Sequence, residues 1–474
     1  MKRFWRSFFS ILGFVSLFLA AVHLTQVKTA RGMALRLVKS FSEALSPFLT
    51  AAAAVSAIAC AALHSPWASA ASAAAAAVQA CYVWLVTRPH RSFEEGLNTE
   101  HMERGKDGTG SGLHRWEPHP VRPARWRWPG PNSRGEPRWE RDLVYHTIRD
   151  GIIEDENGRP DQELRCDLWQ PPRGVPASGL ALIYVHGGGF FSSSKDFGTR
   201  GFIRHMAGQG HVIMDIDYRL APLANIFDMV DDVHAAILWM KNNAEWLGAG
   251  HDKLVLIGGS AGALLALLAA YTANHPRLTK LDLQGANLSV SGVVSYYGLV
   301  DVAATYKAIQ KFMASAPTSR TLPENILDRP LAGNFIRLAA WVRGVDPPAM
   351  RQYLRENQAL MAAGVENSMA KLLGGSPEEV PDMYALISPI NHAGPGCPPT
   401  LIFQGQHDYL LPLGPTRALY QKLRAAGVPV VYVELPWTEH TFDLFLPQVS
   451  PPALSALHDL ERFLRLLQEQ KLGF

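Results

Sequence analysis

At 474 residues the chain exceeds one average domain and has room for a single large α/β domain with an appendage. A formal net charge of +3 leaves no general electrostatic footprint for nucleic acid, so the basic residues matter by where they cluster. Four cysteines, Cys60, Cys81, Cys166 and Cys397, form no Cys-x-x-Cys and no Cys/His metal spacing, which excludes a disulfide framework and leaves unpaired thiols as the expectation.

Lys2, Arg3 and Arg6 precede an uncharged stretch rich in Phe and Leu over 7–27. That is close to the ~20 residues a membrane-spanning helix needs. A cleaved signal peptide has a similar outline, but Leu19-Ala20-Ala21 is a poor small-x-small cleavage site, so an anchor is expected. From Ala44 to Thr87 there is no Lys, Arg, Asp or Glu, and the stretch breaks at His64-Ser65-Pro66. Two further spans, 46–63 and 68–87, are predicted as a helical hairpin, with an Ala-rich helical pair packed on protein as the alternative. The cations Lys28, Arg31, Arg36 and Lys39 fall in the first loop, and Arg88 and Arg91 follow the hairpin. With three spans the positive-inside rule puts the C-terminal domain on the cytoplasmic side; with one span the orientation reverses. Residues 1–96 therefore form a membrane region with lipid as a partner.

Residues 97–140 are rich in Gly, Pro, Arg and Trp, and no helical or strand period survives, which predicts a linker. Trp116, Trp126, Trp128 and Trp139, interleaved with Arg122, Arg125 and Arg127, either rest at lipid headgroups or pack on the following domain. Nothing else in the chain supports nucleic-acid binding by this patch.

From 141 to 474 short apolar runs recur at 180–185, 211–217, 253–257, 291–297, 399–405 and 428–435. Segments of helical period lie between several of them, as in "DMVDDVHAAILWMKNNAEWL" and "GPTRALYQKLRAAG". This alternation predicts an α/β domain with a mostly parallel sheet flanked by helices. In such sheets ligands bind beyond the carboxyl ends of the strands.

Those ends carry the chemistry. After "KLVLI" comes Gly258-Gly259-Ser260-Ala261-Gly262 and then a helix-forming run, the context in which G-x-S-x-G exposes a serine on a strained turn. After "LALIYV" come His186, Gly187, Gly188 and Gly189. Three successive glycines cost conformational entropy, which a loop bringing backbone N–H groups onto an oxyanion justifies. After the last two runs come Asp408 and His440, so the chain order is Ser, acid, His. A serine hydroxyl needs an imidazole base, and the imidazole needs a carboxylate to fix its tautomer. His407 and Glu439, the immediate neighbours of Asp408 and His440, are the residues most easily mistaken for them.

The motifs "HGGGF", "DYRLAP", "GGSAGA", "GQHD" and "EHTF" resemble the hormone-sensitive-lipase-like branch of the α/β-hydrolase superfamily, over about residues 165–450. That branch includes bacterial carboxylesterases and membrane-anchored microsomal deacetylases. The resemblance implies an α/β-hydrolase fold with an oxyanion hole at Gly187, Gly188, Gly189 and Ala261. It also implies that Asp217 and Arg219, with His186, brace the glycine loop rather than act chemically. The usual "GDSAGG" stands here as "GGSAGA", so Gly259 replaces an acid and leaves room for the related carbohydrate-ester or prenylcysteine-methylester hydrolases.

An insertion over about 303–385, containing Phe312, Met313, Phe335, Ile336, Leu338 and Trp341, predicts a helical lid with an apolar acyl or alkyl pocket. The expectation is a membrane-anchored serine carboxylesterase acting on a small apolar or lipid-like ester through an acyl-enzyme, with no metal or organic cofactor. The alternatives are an amidase or peptidase, and a non-catalytic receptor for a small ligand on the same scaffold. Oligomeric state has no signature in the sequence.

Overall fold

A computed structural model describes residues 1–29, 32–88, 135–148, 162–280, 283–315 and 332–469. Trp116, Trp126, Trp128 and the arginines between them, with Arg31 and Arg91, lie outside the described residues.

Three N-terminal helices, α1 (Lys2–Leu24), α2 (Met33–Ala62) and α3 (Pro66–Thr87), are long and apolar enough to cross a membrane. Pro66 takes the first position of α3, where its missing N–H leaves no helical bond unmade. Small side chains let the helices close on one another: Ala20, Ala53 and Ala75 are fully buried together. Serine hydroxyls cross the gaps, Ser56 Oγ to the Phe9 carbonyl and Ser69 Oγ to the Ala57 carbonyl, both at 2.8 Å. Helix α2 begins well before the expected span, and it takes Arg36 and Lys39 out of the predicted loop. Polar partners outside the bundle satisfy Lys39 there, which composition alone does not show.

The second unit is an eight-stranded sheet in the order β1-β2-β4-β3-β5-β6-β7-β8. Its strands are β1 (Arg138–Ile148), β2 (Gln162–Gln170), β3 (Gly179–Val185), β4 (Val212–Ile216), β5 (Ala249–Gly259), β6 (Gly292–Tyr296), β7 (Thr400–Gly405) and β8 (Val430–Leu435). Strands β3 to β8 match the six predicted runs and pair in parallel. Strands β1 and β2 pair antiparallel, and so do β2 and β4. Strand β1 is largely exposed or half-buried, with only Tyr145 and Ile148 buried and two register shifts against β2, and it shows no continuous apolar run. It also claims Arg138–Glu140 from the stretch expected as linker. Trp139 stacks on Trp169 at 4.5 Å and donates to Asp167 Oδ2 at 3.0 Å, so this tryptophan packs on the domain and not on lipid.

Helices cover both faces: α4 (Arg200–Gly208), α5 (Ile226–Asn242), the single turn α6 (Ala244–Leu247), α7 (Ala261–Tyr271), α13 (Leu413–Ala425) and α14 (Pro451–Gln468). Asn225 and Asp228 close a capping box at the start of α5. Residues 261 to 270 of α7 are all buried, as expected of a helix apolar on every face. Between β6 and β7 lie α8 (Val302–Ala314), α9 (Ala332–Arg343), α10 (Pro347–Ala363), α11 (Val365–Leu373) and α12 (Pro381–Leu386), in the stretch expected as an insertion. Phe312 and Met313 join the main core, and Ile336 packs with Phe197, Ala340 and Met350. Phe335, Leu338 and Trp341 face outward on α9, at 53%, 54% and 70% exposure, so they line no internal pocket.

Candidate active site

Strand order reverses at β3, whose neighbours β4 and β5 lie on opposite sides. The crevice beyond the carboxyl ends at such a point is where open α/β sheets bind ligands. Two of the predicted motifs start there, the glycine loop after β3 and Ser260 after β5.

Ser260 sits between β5 and α7 at φ 53° and ψ −117°. An L-residue is strained in that region, and the turn is held by the Ser260 N–H bond to the Tyr296 carbonyl at 2.9 Å. The crossing needs Gly262, where an added Cβ would lie 2.1 Å from the Val185 carbonyl oxygen. The turn leaves the Ser260 hydroxyl 3.1 Å from His440 Nε2. His440 Nδ1 lies 2.7 Å from Asp408 Oδ2, and the carboxylate can only accept there, so Nδ1 carries the proton and Nε2 is free to accept from serine. Asp408 is fixed in turn by the Leu410 and Leu411 N–H groups, each 2.9 Å from Oδ1. His440 and Asp408 are buried, at 2% and 7% exposure, which keeps water from competing for these bonds.

The neighbouring His407 and Glu439 point away from Ser260 and meet at Lys39 of α2, at 2.7 and 3.0 Å from its ammonium.

The glycine loop runs close beside the serine turn. Gly187 is backed by the Gly259 carbonyl, 2.9 Å from where its Cβ would be. Gly188 has φ 126° and its Cβ would overlap the Ser192 carbonyl oxygen at 1.9 Å, so no other residue fits. Among the described residues, the N–H groups of Gly188, Gly189 and Ala261 have no hydrogen-bond acceptor. Unpaired backbone donors on the two turns beside a nucleophile are the kind of group a developing oxyanion needs.

The supporting residues divide. His186 Nδ1 donates to the Gly187 carbonyl at 2.7 Å, and its ring stacks on Tyr218 at 4.4 Å, whose hydroxyl donates back to the His186 carbonyl at 3.0 Å. Asp217 accepts from the Lys195 N–H at 2.7 Å, beyond the glycines, and lies 3.9 Å from His186 Nε2. Burial pushes the His186 imidazole down and the Asp217 carboxyl up, the directions expected of a half-desolvated pair. Arg219 grips Asp232 of α5, Nη2 to Oδ1 at 2.7 Å, and so braces the helix that follows.

Two residues beside the serine carry no sequence motif. The Tyr297 hydroxyl donates to Asp443, and it also lies 3.5 Å from the point where a Cβ at Gly259 would be. A carboxyl group therefore stands near the position of the acid that Gly259 lacks, and burial pushes Asp443 up to about 6. Only the closeness of Asp443 to His440 in the chain could have flagged it. The lid supplies the opposite wall. Leu360 of α10 lies over Gly189, 3.8 Å from its would-be Cβ, and Glu356 accepts from the Ser193 N–H at 3.3 Å. Phe312 of α8 meets Tyr409 at 5.3 Å, and Tyr409 meets the His440 ring edge-on at 6.2 Å. Among the described residues no group of three His, Cys, Asp or Glu side chains is placed to hold a metal ion.

The chain matches the BD-FAE family model over residues 166–352 and 350–423, together more than half its length. It is 26% identical to the probable carboxylic ester hydrolase LipM of Mycobacterium tuberculosis, covering 59% of this chain and 53% of LipM. It is likewise 26% identical to esterase LipC of that organism, covering 60% of this chain and 58% of LipC. The chain thus spans little more than half the length of these curated relatives. The butyrate-bound esterase 2 of Thermogutta terrifontis superposes with TM-score 0.46 at 19% identity, over 72% of this chain and 98% of that one.

Proposed function

Because the chain belongs to the BD-FAE family, within the carboxylesterase branch of the α/β-hydrolases, we propose that it cleaves carboxylic esters at a membrane surface through an acyl-serine intermediate. The observation that carries this is the contact of His440 Nε2 with Ser260 Oγ at 3.1 Å while Nδ1 is held on Asp408 at 2.7 Å. Ser260 Oγ attacks the ester carbonyl and His440 takes its proton; the imidazolium is stabilised by Asp408. The tetrahedral oxyanion is received by the N–H groups of Gly188, Gly189 and Ala261, with Gly187 shaping the loop behind them. His440 then delivers the proton to the leaving alcohol, and water, deprotonated by the same imidazole, releases the acid.

The names of LipM and LipC favour esters over amides. Leu360 over Gly189, and Tyr409 between Phe312 and the His440 ring, favour an apolar acyl or alkyl group. Three helices of spanning length favour a membrane anchor. Purified in detergent, the wild-type chain should hydrolyse p-nitrophenyl butyrate and octanoate, and Ser260→Ala should lose about 10⁶ of the rate. Retained hydrolysis in Ser260→Ala would exclude the reading. A strict preference for acetate would remove the apolar site from it.

A further inference from the structure

Lys39 lies in α2, a helix long and apolar enough to cross a membrane, yet it is completely buried. Its ammonium donates to His407 Nδ1 at 2.7 Å, to the Thr25 carbonyl at 2.8 Å and to Glu439 Oε1 at 3.0 Å, with Glu43 3.8 Å away. His407 can accept that bond because burial, with Lys39 beside it, holds its imidazole down at about 4. Two of the four partners belong to the loops that end β7 and β8. His407 immediately precedes Asp408, and Glu439 immediately precedes His440.

Several further side-chain contacts between the bundle and the domain fall on the same two loops, while α2 and α3 also rest on α14 and Ala44 packs with Val342 of the lid. The Arg36 guanidinium lies 3.8 Å over the ring of Tyr409, which itself touches His440. Tyr82 of α3 pairs its hydroxyl with Thr438 Oγ1 at 3.2 Å and stacks on Trp437 at 6.3 Å. Phe41 meets Phe445 edge-on at 5.8 Å. A simple tether needs none of this, because residues 89–134 already join the bundle to the domain. Burying a lysine and a glutamate is costly unless their geometry is well matched, so the pair marks a place where geometry is held.

We propose that Lys39 is a positioning residue of the active site, clamping His407 and Glu439 so that Asp408 and His440 keep their spacing to Ser260. The N-terminal bundle is then part of the catalytic unit and not only its anchor. The inference rests on the serine-hydrolase reading above.

The test uses the whole chain in detergent micelles, with p-nitrophenyl butyrate as substrate. Lys39→Met should lower kcat by about 100-fold, the order of loss a displacement of ~1 Å produces, while KM changes less than about threefold. Adding Glu439→Gln to Lys39→Met removes the stranded carboxylate and should restore about tenfold of that loss. Tyr82→Phe, which deletes only the hydroxyl on Thr438, should lower kcat about threefold. Wild-type kcat in Lys39→Met would overturn the proposal. If that variant does not fold, wild-type kcat in both Tyr82→Phe and the double variant would overturn it, and lowered kcat in both would support it. Activity surviving in Ser260→Ala sinks the serine-hydrolase reading, whereas an inactive Ser260→Ala beside a fully active Lys39→Met sinks only the role of Lys39.

Discussion

Ser260, His440 and Asp408 were legible because each follows an apolar strand within a few residues, so local pattern carried them to the same edge of the sheet. The order Ser, acid, His already favoured Asp408 and His440 over His407 and Glu439, but it could not say how the fold keeps each adjacent pair apart. The turns after β7 and β8 part them, sending one member of each pair to Ser260 and the other to Lys39. Asp408→Asn should therefore lower kcat by about 10⁴, since an amide donating to Nδ1 fixes the wrong imidazole tautomer. A pH-independent loss of less than tenfold would argue that Asp408 is only a loop residue. Tyr297 and Asp443 were not legible, because their bond joins β6 to the His440 loop across 146 residues. Tyr297→Phe leaves the Asp443 carboxyl without that donor and should cost about 1–3 kcal/mol, read as a lower thermal midpoint in detergent.

At the scale of elements, the six parallel strands were readable as apolar runs buried on both faces, and the outer antiparallel pair was not, because β1 buries only Tyr145 and Ile148. The strand-to-helix crossing at Ser260 makes a sharp contrast between neighbouring glycines. Gly262→Ala places a Cβ 2.1 Å from the Val185 carbonyl and should cost about 3 kcal/mol or more, whereas Gly259→Ala meets nothing closer than 3.5 Å and should fold normally. Equal stability of the two variants, compared by chemical denaturation, would contradict this account of the turn. The lid splits in the same way. Its helical character showed in the sequence, but which apolar residues turn inward did not: Phe312 reaches Tyr409, while Phe335, Leu338 and Trp341 point outward.

For the whole molecule, composition announced a membrane region and an α/β domain as separate units. It could not announce their joining, since the partners of Lys39 lie 368 and 400 residues away. Two histidines, the buried His211 and the half-buried His407, give the molecule a pH limit. Burial pushes His211, bonded to Ser178 Oγ at 2.7 Å, down to about 4, and His407 falls to about 4 by burial and Lys39. An unfolded imidazole titrates near ~6.5, so the unfolded chain takes up protons that the native state refuses. Stability from these groups is present above about pH 6.5 and is lost as pH falls toward about 4. The thermal midpoint in detergent should drop between about pH 7.5 and about pH 5, and His211→Gln should flatten that dependence. A midpoint indifferent to acidification would mean that both imidazoles are hydrated in the native state.

Ester cleavage through Ser260 is tested most directly by treating the whole chain with a fluorophosphonate and mapping the adduct by peptide mass spectrometry. A single phosphonylated residue, Ser260, is predicted, with no adduct in Ser260→Ala. Labelling that persists in Ser260→Ala, or an adduct on a different serine of the native protein, would contradict it.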